Sequence, residues 1–180
     1  MTTCKRIFDL ILSSFLIIAF IPVFLVVSVL IAIIDGFPIL YKSERMRGVD
    51  DSFILLKFRT MRNSSGDTGV SGGYKGNRIS PLGSFLRAKR IDELPQLINV
   101  LKGDISFVGP RPPLRQYVNA RPDIYKNVLK SRPGITGLAS ALYHKREEVL
   151  LARCSSAEET DILYREICIP RKASYDIIYQ

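Results

Sequence analysis

The sequence is poor in the residues on which several common catalytic sites depend: it has three cysteines, one histidine and no tryptophan in 180 residues. Cys4, Cys154 and Cys168 show no CxxC spacing and have no companion histidine near them. They therefore indicate reduced cytosolic thiols rather than a disulfide framework or a zinc site. His144 is the one possible base for a Ser-His or Cys-His pair, which argues against that kind of nucleophilic catalysis.

Acidic residues are scarce relative to basic ones, 17 against 26, which gives a net charge of +9 and an isoelectric point near 9.6. This excess of positive charge favours an anionic partner, which would be a nucleic acid, a phospholipid or a phosphorylated substrate. No aromatic-rich basic stripe or recognised DNA-binding motif accompanies the charge, so no nucleic-acid partner is expected. The length suits one domain of ordinary size.

Charge is absent altogether from Leu10 to Ile34, a stretch longer than the ~20 residues that cross a bilayer. A signal peptide fits poorly, because the apolar stretch is too long and no small-residue cleavage site follows it. Pro22 near the middle would kink the helix. Basic residues flank the stretch on both sides, and the positive-inside tendency then places both ends in the cytoplasm. We therefore expect a re-entrant membrane helix, while a single span with a tolerated proline stays open.

Two short apolar stretches predict strands, residues 39–41 and 53–56, around a polar turn at 48–51. Lys57 and Arg59 follow the second stretch and point to the same face of an extended chain. This pair would suit a diphosphate, but a solvated basic strand edge that resists aggregation explains it equally well. Residues 63–77 are rich in Ser, Gly, Asp and Thr and predict a mobile loop, closer to a lid than to a linker.

Asp92 and Glu93 are adjacent carboxylates in a basic stretch, RAKRIDELPQLINVLKGDISFVGPRP at 87–112. Proline is tolerated in a first helical turn and Asp is a good N-cap, so Pro95 places both carboxylates at or just before a helix N-terminus. The positive end of that helix favours anions, which would keep a carboxylate ionised and could hold a phosphate beside it. A charged helix start followed by a Pro-rich turn is the alternative.

Further elements are predicted on both sides of this stretch, and two of the turns present an arginine. Ser80 and Pro81 predict a helix start. The other predictions are a helix stop at Gly103, a strand at 105–108, a turn at 109–113 presenting Arg111, helices at 114–120 and 124–130 that suit a lipid surface, a turn at 131–138 presenting Arg132, and helices at 147–153 and 158–166.

The broken apolar helix, KFRTM at 57–61, IDELPQLINVLKGDISFVGPRP at 91–112 and RPGITGL at 132–138 together resemble the bacterial monotopic phosphoglycosyl transferases. The resemblance runs from about residue 4 to 140 and more weakly to Asp176. It implies a mostly helical α/β fold, with a re-entrant membrane helix over residues 1–36 and a small catalytic domain over 37–180 that carries amphipathic interfacial helices. It also implies the bacterial inner membrane, with the catalytic domain on its cytoplasmic face and membrane lipids as partners.

The resemblance further implies a reaction. The family transfers a sugar 1-phosphate from a nucleoside diphosphate sugar, usually UDP-linked, to a polyprenol phosphate such as undecaprenyl phosphate, and UMP leaves. Asp92 matches the nucleophile, which forms a covalent phosphosugar and contacts Mg²⁺, and Glu93 matches the second catalytic carboxylate. The other candidates for substrate or phosphate binding are Lys57, Arg87, Arg111 and Asp176, which match the family, together with Arg59 and Arg132.

Several alternatives stay open at this point. Ile21-Pro22 stands where the family often has Ser-Pro, residues 141–170 do not match its pattern, and the sequence stops at Gln180, naturally or by truncation, where the family usually continues. The sugar, the glycan pathway and assembly into a homodimer are not determined. Attack by Glu93 is not excluded. A non-catalytic membrane adaptor that binds anionic lipids is the main rival, and it would not need Asp92 or Glu93.

Overall fold

The computed structural model describes residues 2–61 and 78–180, which form two compact units. The described residues of the first unit are 2–43, 54–61 and 78–104, and those of the second are 44–53 and 105–180. Helices dominate both units, and two small two-stranded sheets accompany them, which agrees with the predicted mostly helical α/β fold. The predicted mobile loop at 63–77 lies outside the described residues.

The first unit begins with two apolar helices, α1 (Thr3–Ala19) and α2 (Ile21–Ile34), which are bent by 59° relative to each other. The kink was predicted at Pro22, but the break lies at Phe20, and Pro22 stands in the first turn of α2. A proline ring disrupts the turn before it, because it collides with the carbonyl four residues back and lacks the N–H that would bond there. Among the described residues no single helix is long and apolar enough to cross a bilayer; the bent pair meets that criterion only jointly, as a broken span or a re-entrant loop.

A β-hairpin follows, with strands β1 (Leu40–Met46) and β2 (Ser52–Phe58), close to the two predicted strands. Arg47 and Asp51 close its turn, because the Arg47 Nε donates to Asp51 Oδ2 at 2.8 Å. The open end of the hairpin belongs to the first unit and its turn to the second.

The rest of the first unit carries the paired carboxylates. Helix α3 (Pro81–Ala88) begins as predicted, with the Ser80 hydroxyl accepting from the Gly83 N–H at 2.9 Å. A 3₁₀ turn (Ile91–Glu93) and helix α4 (Gln96–Lys102) follow. The carboxylates thus lie just before a helix, as predicted, but the N-cap of α4 is Pro95 rather than Asp92. Gly103 ends α4 with φ +89°, a conformation that glycine adopts without strain.

The second unit contains a pair of parallel strands, β3 (Ser106–Val108) and β4 (Gly134–Thr136), in which Ser106 lies opposite Gly134. The sequence predicted β3 but assigned residues 131–138 to a turn, and that assignment is wrong for β4. The strand exists because two backbones approach closely: a Cβ on Gly134 would lie 2.3 Å from the Gly109 nitrogen. This pairing of Gly134 depends on Gly109, which is 25 positions earlier in the chain, so it cannot be predicted from local turn propensity.

Five helices complete this unit, and a tyrosine-rich core joins them. The helices at 114–120 and 124–130 are confirmed, while the predicted helix at 158–166 changes to a π-helical turn (Tyr164–Cys168) after Leu163. The helices are α5 (Arg115–Ala120), α6 (Pro122–Val128), α7 (Leu138–Ala152), α8 (Ala157–Leu163) and α9 (Ile169–Ile178).

Candidate functional site

Asp92 and Glu93 are both buried in the first unit, with exposed fractions of 6% and 9%. The 3₁₀ turn that carries them starts after Arg90, which adopts the left-handed conformation at φ +57°. This conformation is uncommon for a residue with a side chain. Arg90 lies between α3 and the 3₁₀ turn, and the Glu93 N–H donates to the Arg90 carbonyl at 3.2 Å. Two carboxylates are thereby placed in protein interior, where ionised groups are costly unless they are compensated.

Glu93 is compensated by two cations. The ammonium of Lys57, at the end of β2, lies 2.8 Å from Glu93 Oε1, and the side chains of this pair are only 17% and 10% exposed. The more exposed guanidinium of Arg90 approaches the same oxygen at 3.6 Å. Lys57 thus lies beside the paired carboxylates, and its visible contact is with Glu93.

Asp92 has a different environment, because its Oδ1 is buried and has no hydrogen-bond partner among the described residues. Burial raises the pKa of Asp92, and the negative charge of Glu93 raises it further. The positive charges of Lys57, Arg87 and Arg90 lower this pKa, with Lys57 the strongest of the three, and the net change is a rise. Buried side-chain oxygens without a partner are few in native proteins, and a catalytic role or a bound ion is among the reasons for one. Arg87 lies in the last turn of α3, and its charge is one of those that act on Asp92.

Arg59 does not accompany Lys57 toward the carboxylates. It is 7% exposed, and its guanidinium donates to the carbonyl oxygens of Asp35, Gly36 and Phe37, with a distance of 2.9 Å to Phe37. These carbonyls follow the C-terminus of α2, where a cation is favourable. The interpretation of Arg59 as a solvated strand-edge residue is therefore wrong, and the visible function of its guanidinium is to hold the end of α2.

Sequence reasoning did not single out Asn99, whose side chain joins α4 to β2. It lies on the buried side of α4 with 1% exposure, and all of its side-chain hydrogen-bonding groups have partners. Its amide accepts from the Leu56 N–H at 3.0 Å and donates to the Ile54 carbonyl at 2.8 Å and to Asp104 Oδ2 at 2.9 Å. The signal in the sequence is an amide that stands directly between two apolar residues of α4, Ile98 and Val100.

Arg6 is a second residue that was missed as a contact to this helix. Its guanidinium donates from α1 to the carbonyls of Val100 and Leu101, at 2.7 and 2.9 Å, at the C-terminal end of α4. Helix α4 is therefore held at its end by α1 and along its side by β2.

Three predicted site residues belong to the second unit: Arg111, Arg132 and Asp176. Burial raises the pKa of Tyr164, the Glu147 charge adds to this, and the charge of Arg111 opposes it, so Arg111 lies within electrostatic reach of the π-helical turn. Arg132 precedes β4, and its carbonyl would be 2.2 Å from a Cβ on Gly109.

Asp176 is 5% exposed in α9, and its Oδ1 has no partner among the described residues. Burial raises the pKa of Asp176 to about 6, although the charge of Lys172 and a hydrogen bond from the Ala139 backbone lower it. Lys172 itself lies 2.9 Å from Glu147 Oε2 and 3.3 Å from the Tyr164 hydroxyl. The sequence predicted Asp176 but gave no indication of this buried polar network.

Comparison with known proteins places these residues among bacterial sugar transferases, whose family model matches residues 1–179. An exopolysaccharide production protein ExoY from Sinorhizobium fredii is 36% identical over 151 residues, which are 74% of this chain and 66% of the relative. A UDP-glucose:undecaprenyl-phosphate glucose-1-phosphate transferase from Caulobacter vibrioides is 36% identical over 165 residues, 88% of this chain and 62% of the relative. A UDP-N-acetylgalactosamine-undecaprenyl-phosphate N-acetylgalactosaminephosphotransferase from Aeromonas hydrophila is 34% identical over 145 residues, which are 77% of this chain and 34% of the relative. The chain thus spans about a third to two thirds of the length of these relatives.

Proposed function

The chain belongs to the bacterial sugar transferase family, and we propose that it transfers a sugar 1-phosphate from a UDP-sugar to undecaprenyl phosphate, with UMP as the second product. The product would begin a lipid-linked glycan for an exopolysaccharide. Two relatives with different sugars in their names, glucose and N-acetylgalactosamine, are about equally similar to this chain. The proposal therefore specifies the reaction class and leaves the sugar open.

The observation that carries the proposal is the buried Oδ1 of Asp92, which has no partner within residues 2–61 and 78–180, beside a Glu93 that is paired with Lys57. In the proposed reaction an Asp92 carboxylate oxygen attacks the phosphorus that bears the sugar. An oxygen–phosphorus bond forms, the bond to the bridging oxygen breaks, and UMP leaves with that electron pair. A phosphate oxygen of undecaprenyl phosphate then attacks the same phosphorus and displaces Asp92. Two displacements allow a soluble donor and a lipid acceptor to react in turn.

A divalent cation fits Asp92, because Mg²⁺ prefers oxygen ligands and the Asp92 Oδ1 has no protein partner among the described residues. Within residues 2–61 and 78–180 no group of three or more His, Cys, Asp or Glu side chains converges on one point. Asp92 would therefore hold the ion together with oxygens of the substrate diphosphate. A bound Mg²⁺ would neutralise diphosphate charge, so that the anionic Asp92 can approach. We expect a chelator to abolish UMP release and added Mg²⁺ to restore it.

Lys57 and Arg87 would supply further positive charge toward the diphosphate, because both act electrostatically on Asp92. We include Arg111 and Asp176 among the proposed binding residues on the basis of the sequence resemblance, and Arg132 as a further cation in the segment before β4. Replacing Arg111 by alanine should remove at least ~2 kcal/mol of transition-state stabilisation, as expected for a lost electrostatic contact at a reacting phosphate.

We also propose that α1 and α2 form a re-entrant membrane element of the inner membrane, which leaves residues 37–180 in the cytoplasm. The 59° bend supports this topology. So does the exposure of large apolar side chains along both helices, including Ile11 (67%), Ile18 (68%), Leu25 (63%) and Ile33 (76%). An apolar surface of this extent is expected to contact lipid.

One assay separates this function from the rival adaptor. Membranes that contain the chain are incubated with undecaprenyl phosphate, Mg²⁺ and a panel of UDP-sugars, and UMP release is measured. The proposed function requires acceptor-dependent UMP release with at least one sugar and its loss in Asp92→Asn. An adaptor would bind anionic lipid equally well in both proteins and release no UMP.

A further inference from the structure

The side chain of Asn99 contacts the edge of strand β2 in the way that a neighbouring strand would. The N–H of Leu56 and the carbonyl of Ile54 lie two residues apart, so they point to the same edge of the strand. A neighbouring strand would normally pair with them, and the Asn99 amide replaces it by accepting from one group at 3.0 Å and donating to the other at 2.8 Å. One side chain thereby fixes the position of α4 along the edge of β2.

The orientation of this amide is determined by Asp104. The Asn99 Nδ2 donates to Asp104 Oδ2 at 2.9 Å, and the Asp104 N–H donates to the main-chain carbonyl of Asn99 at 2.9 Å, which keeps the two residues together. If the amide were turned over, its oxygen would face the Asp104 carboxylate and the Ile54 carbonyl, and its NH₂ group would face the Leu56 N–H. Only the observed orientation matches every donor with an acceptor.

The part of β2 that Asn99 binds, Ile54 to Leu56, is close in sequence to a residue that contacts the paired carboxylates. Leu56 directly precedes Lys57, whose ammonium lies 2.8 Å from Glu93, and Glu93 precedes Asn99 by six residues. The strand and the helical segment are therefore joined twice, once by the Lys57–Glu93 ion pair and once by the Asn99 amide. A shift of β2 along α4 would change how far the Lys57 ammonium lies from both carboxylates.

We propose that Asn99 is a positioning residue, which acts through Lys57 by fixing strand β2 against the segment that carries Asp92 and Glu93. Asp104 assists by orienting the amide. This inference rests on the proposed function, because it assigns Asn99 a role in the same transfer reaction. Asn99 itself touches no reacting atom.

The test compares Asn99→Asp with the exchange Asn99→Asp/Asp104→Asn. The single variant keeps the size of the side chain and the acceptor for Leu56, but it loses the donor to Ile54 and places two carboxylates together. The exchange restores an amide–carboxylate pair at these two positions. We expect kcat/KM for UMP release to fall at least about tenfold in the single variant, and the exchange to recover at least about threefold. No recovery would overturn the assignment of Asp104.

Lys57→Met in both backgrounds separates positioning from a general loss of stability. We define the Lys57 factor as the fold-loss of kcat/KM that Lys57→Met causes in a given background. If Asn99 acts through Lys57, this factor should be at least about threefold smaller in the Asn99→Asp background than in the wild type. The matched control is Val100→Ala, which opens a cavity at the next residue of α4 and removes no hydrogen bond to β2. It should lower the melting temperature and leave the Lys57 factor unchanged. Equal Lys57 factors in the wild-type and Asn99→Asp backgrounds would overturn the proposal.

A second readout needs no activity and so separates this proposal from the proposed function. The rate at which acetic anhydride acetylates Lys57 is followed by peptide mass spectrometry on the full chain. It should rise in Asn99→Asp, return toward the wild-type value in the exchange, and stay unchanged in Val100→Ala. Equal rates in wild type and Asn99→Asp would overturn the positioning role, whereas absence of UMP release from the wild type with every UDP-sugar would overturn the proposed function alone.

Discussion

The ammonium of Lys57 lies 2.8 Å from Glu93 Oε1, and this contact distinguishes two carboxylates that are adjacent in the chain. Glu93 is ion-paired on the side of β2, whereas Asp92 keeps a buried oxygen without a partner among the described residues. Adjacent side chains in a 3₁₀ turn diverge by about 120°, because three residues make one turn, so only one of the two would face a diphosphate in line. The environment of Asp92 favours it as the nucleophile and Glu93 as the group that holds Lys57 in place.

Lys57→Met should change the pH dependence of turnover. Lys57 lowers the pKa of Asp92, so its removal lets burial raise that pKa further. The proposed attack requires ionised Asp92, so kcat/KM should rise as the pH rises through this pKa. We expect this rise to occur at higher pH in the variant than in the wild type. The measurement is kcat/KM for UMP release between pH 5 and 8.5, with exposed Lys42→Met on β1 as the control. An unshifted step in Lys57→Met would contradict the electrostatic role.

Gly83→Ala should destabilise the first unit. A Cβ at this position in α3 would lie 2.2 Å from the Thr60 carbonyl oxygen, and backbone on both sides would have to move. Such overpacking costs about 1–3 kcal/mol. Gly48→Ala is the matched control, because its Cβ would meet Asp51 at an ordinary 3.4 Å. Thermal unfolding in detergent micelles measures both variants, and equal melting temperatures would contradict the close approach of α3.

Asp176→Asn should make the protein more stable at neutral pH and change how stability varies with pH. Burial raises the folded-state pKa of Asp176 to about 6, above the value in the unfolded chain, so the folded state binds the proton more tightly. The wild type therefore loses stability as the pH rises from about 4 to about 6, on the order of 2–3 kcal/mol. Asparagine stays neutral and keeps an acceptor for Ala139. Unfolding free energies of both proteins from pH 4 to 7.5 test this, and parallel curves would contradict it.

The re-entrant topology predicts the same side of the membrane for both ends of the apolar pair. Single cysteines replace Thr2 and the exposed Lys42 in a chain that lacks Cys4, Cys154 and Cys168. A membrane-impermeant maleimide should label both only after the cytoplasmic face is exposed. Labelling of the Thr2→Cys protein from the periplasm would establish a full span instead.

Features that depend on local chemistry could be predicted from the sequence. The Ser80–Pro81 start of α3, the hairpin, the stop at Gly103 and the place of Asp92 and Glu93 before α4 all follow from capping and turn preferences within a few residues. The long string around the paired carboxylates also identified the family correctly.

Features that depend on partners distant in the sequence could not be predicted from the sequence. Strand β4 requires close approach to Gly109, and the inward turn of Arg59 requires free carbonyls after α2. The role of Asn99 appears only once the edge of β2 lies beside α4. The helix break was assigned to the proline itself, whereas the ring disrupts the preceding turn at Phe20.

The most direct test of the account is to incubate the purified protein with its UDP-sugar and Mg²⁺ but without undecaprenyl phosphate. The wild type should release UMP in a burst close to one per enzyme, and peptide mass spectrometry should find a phosphosugar on Asp92 in the peptide from Arg90 to Lys102. Glu93→Gln should still form this adduct, more slowly, whereas Asp92→Asn should show neither burst nor adduct. An adduct on Glu93, or full turnover with no adduct under any condition, would contradict Asp92 as the nucleophile.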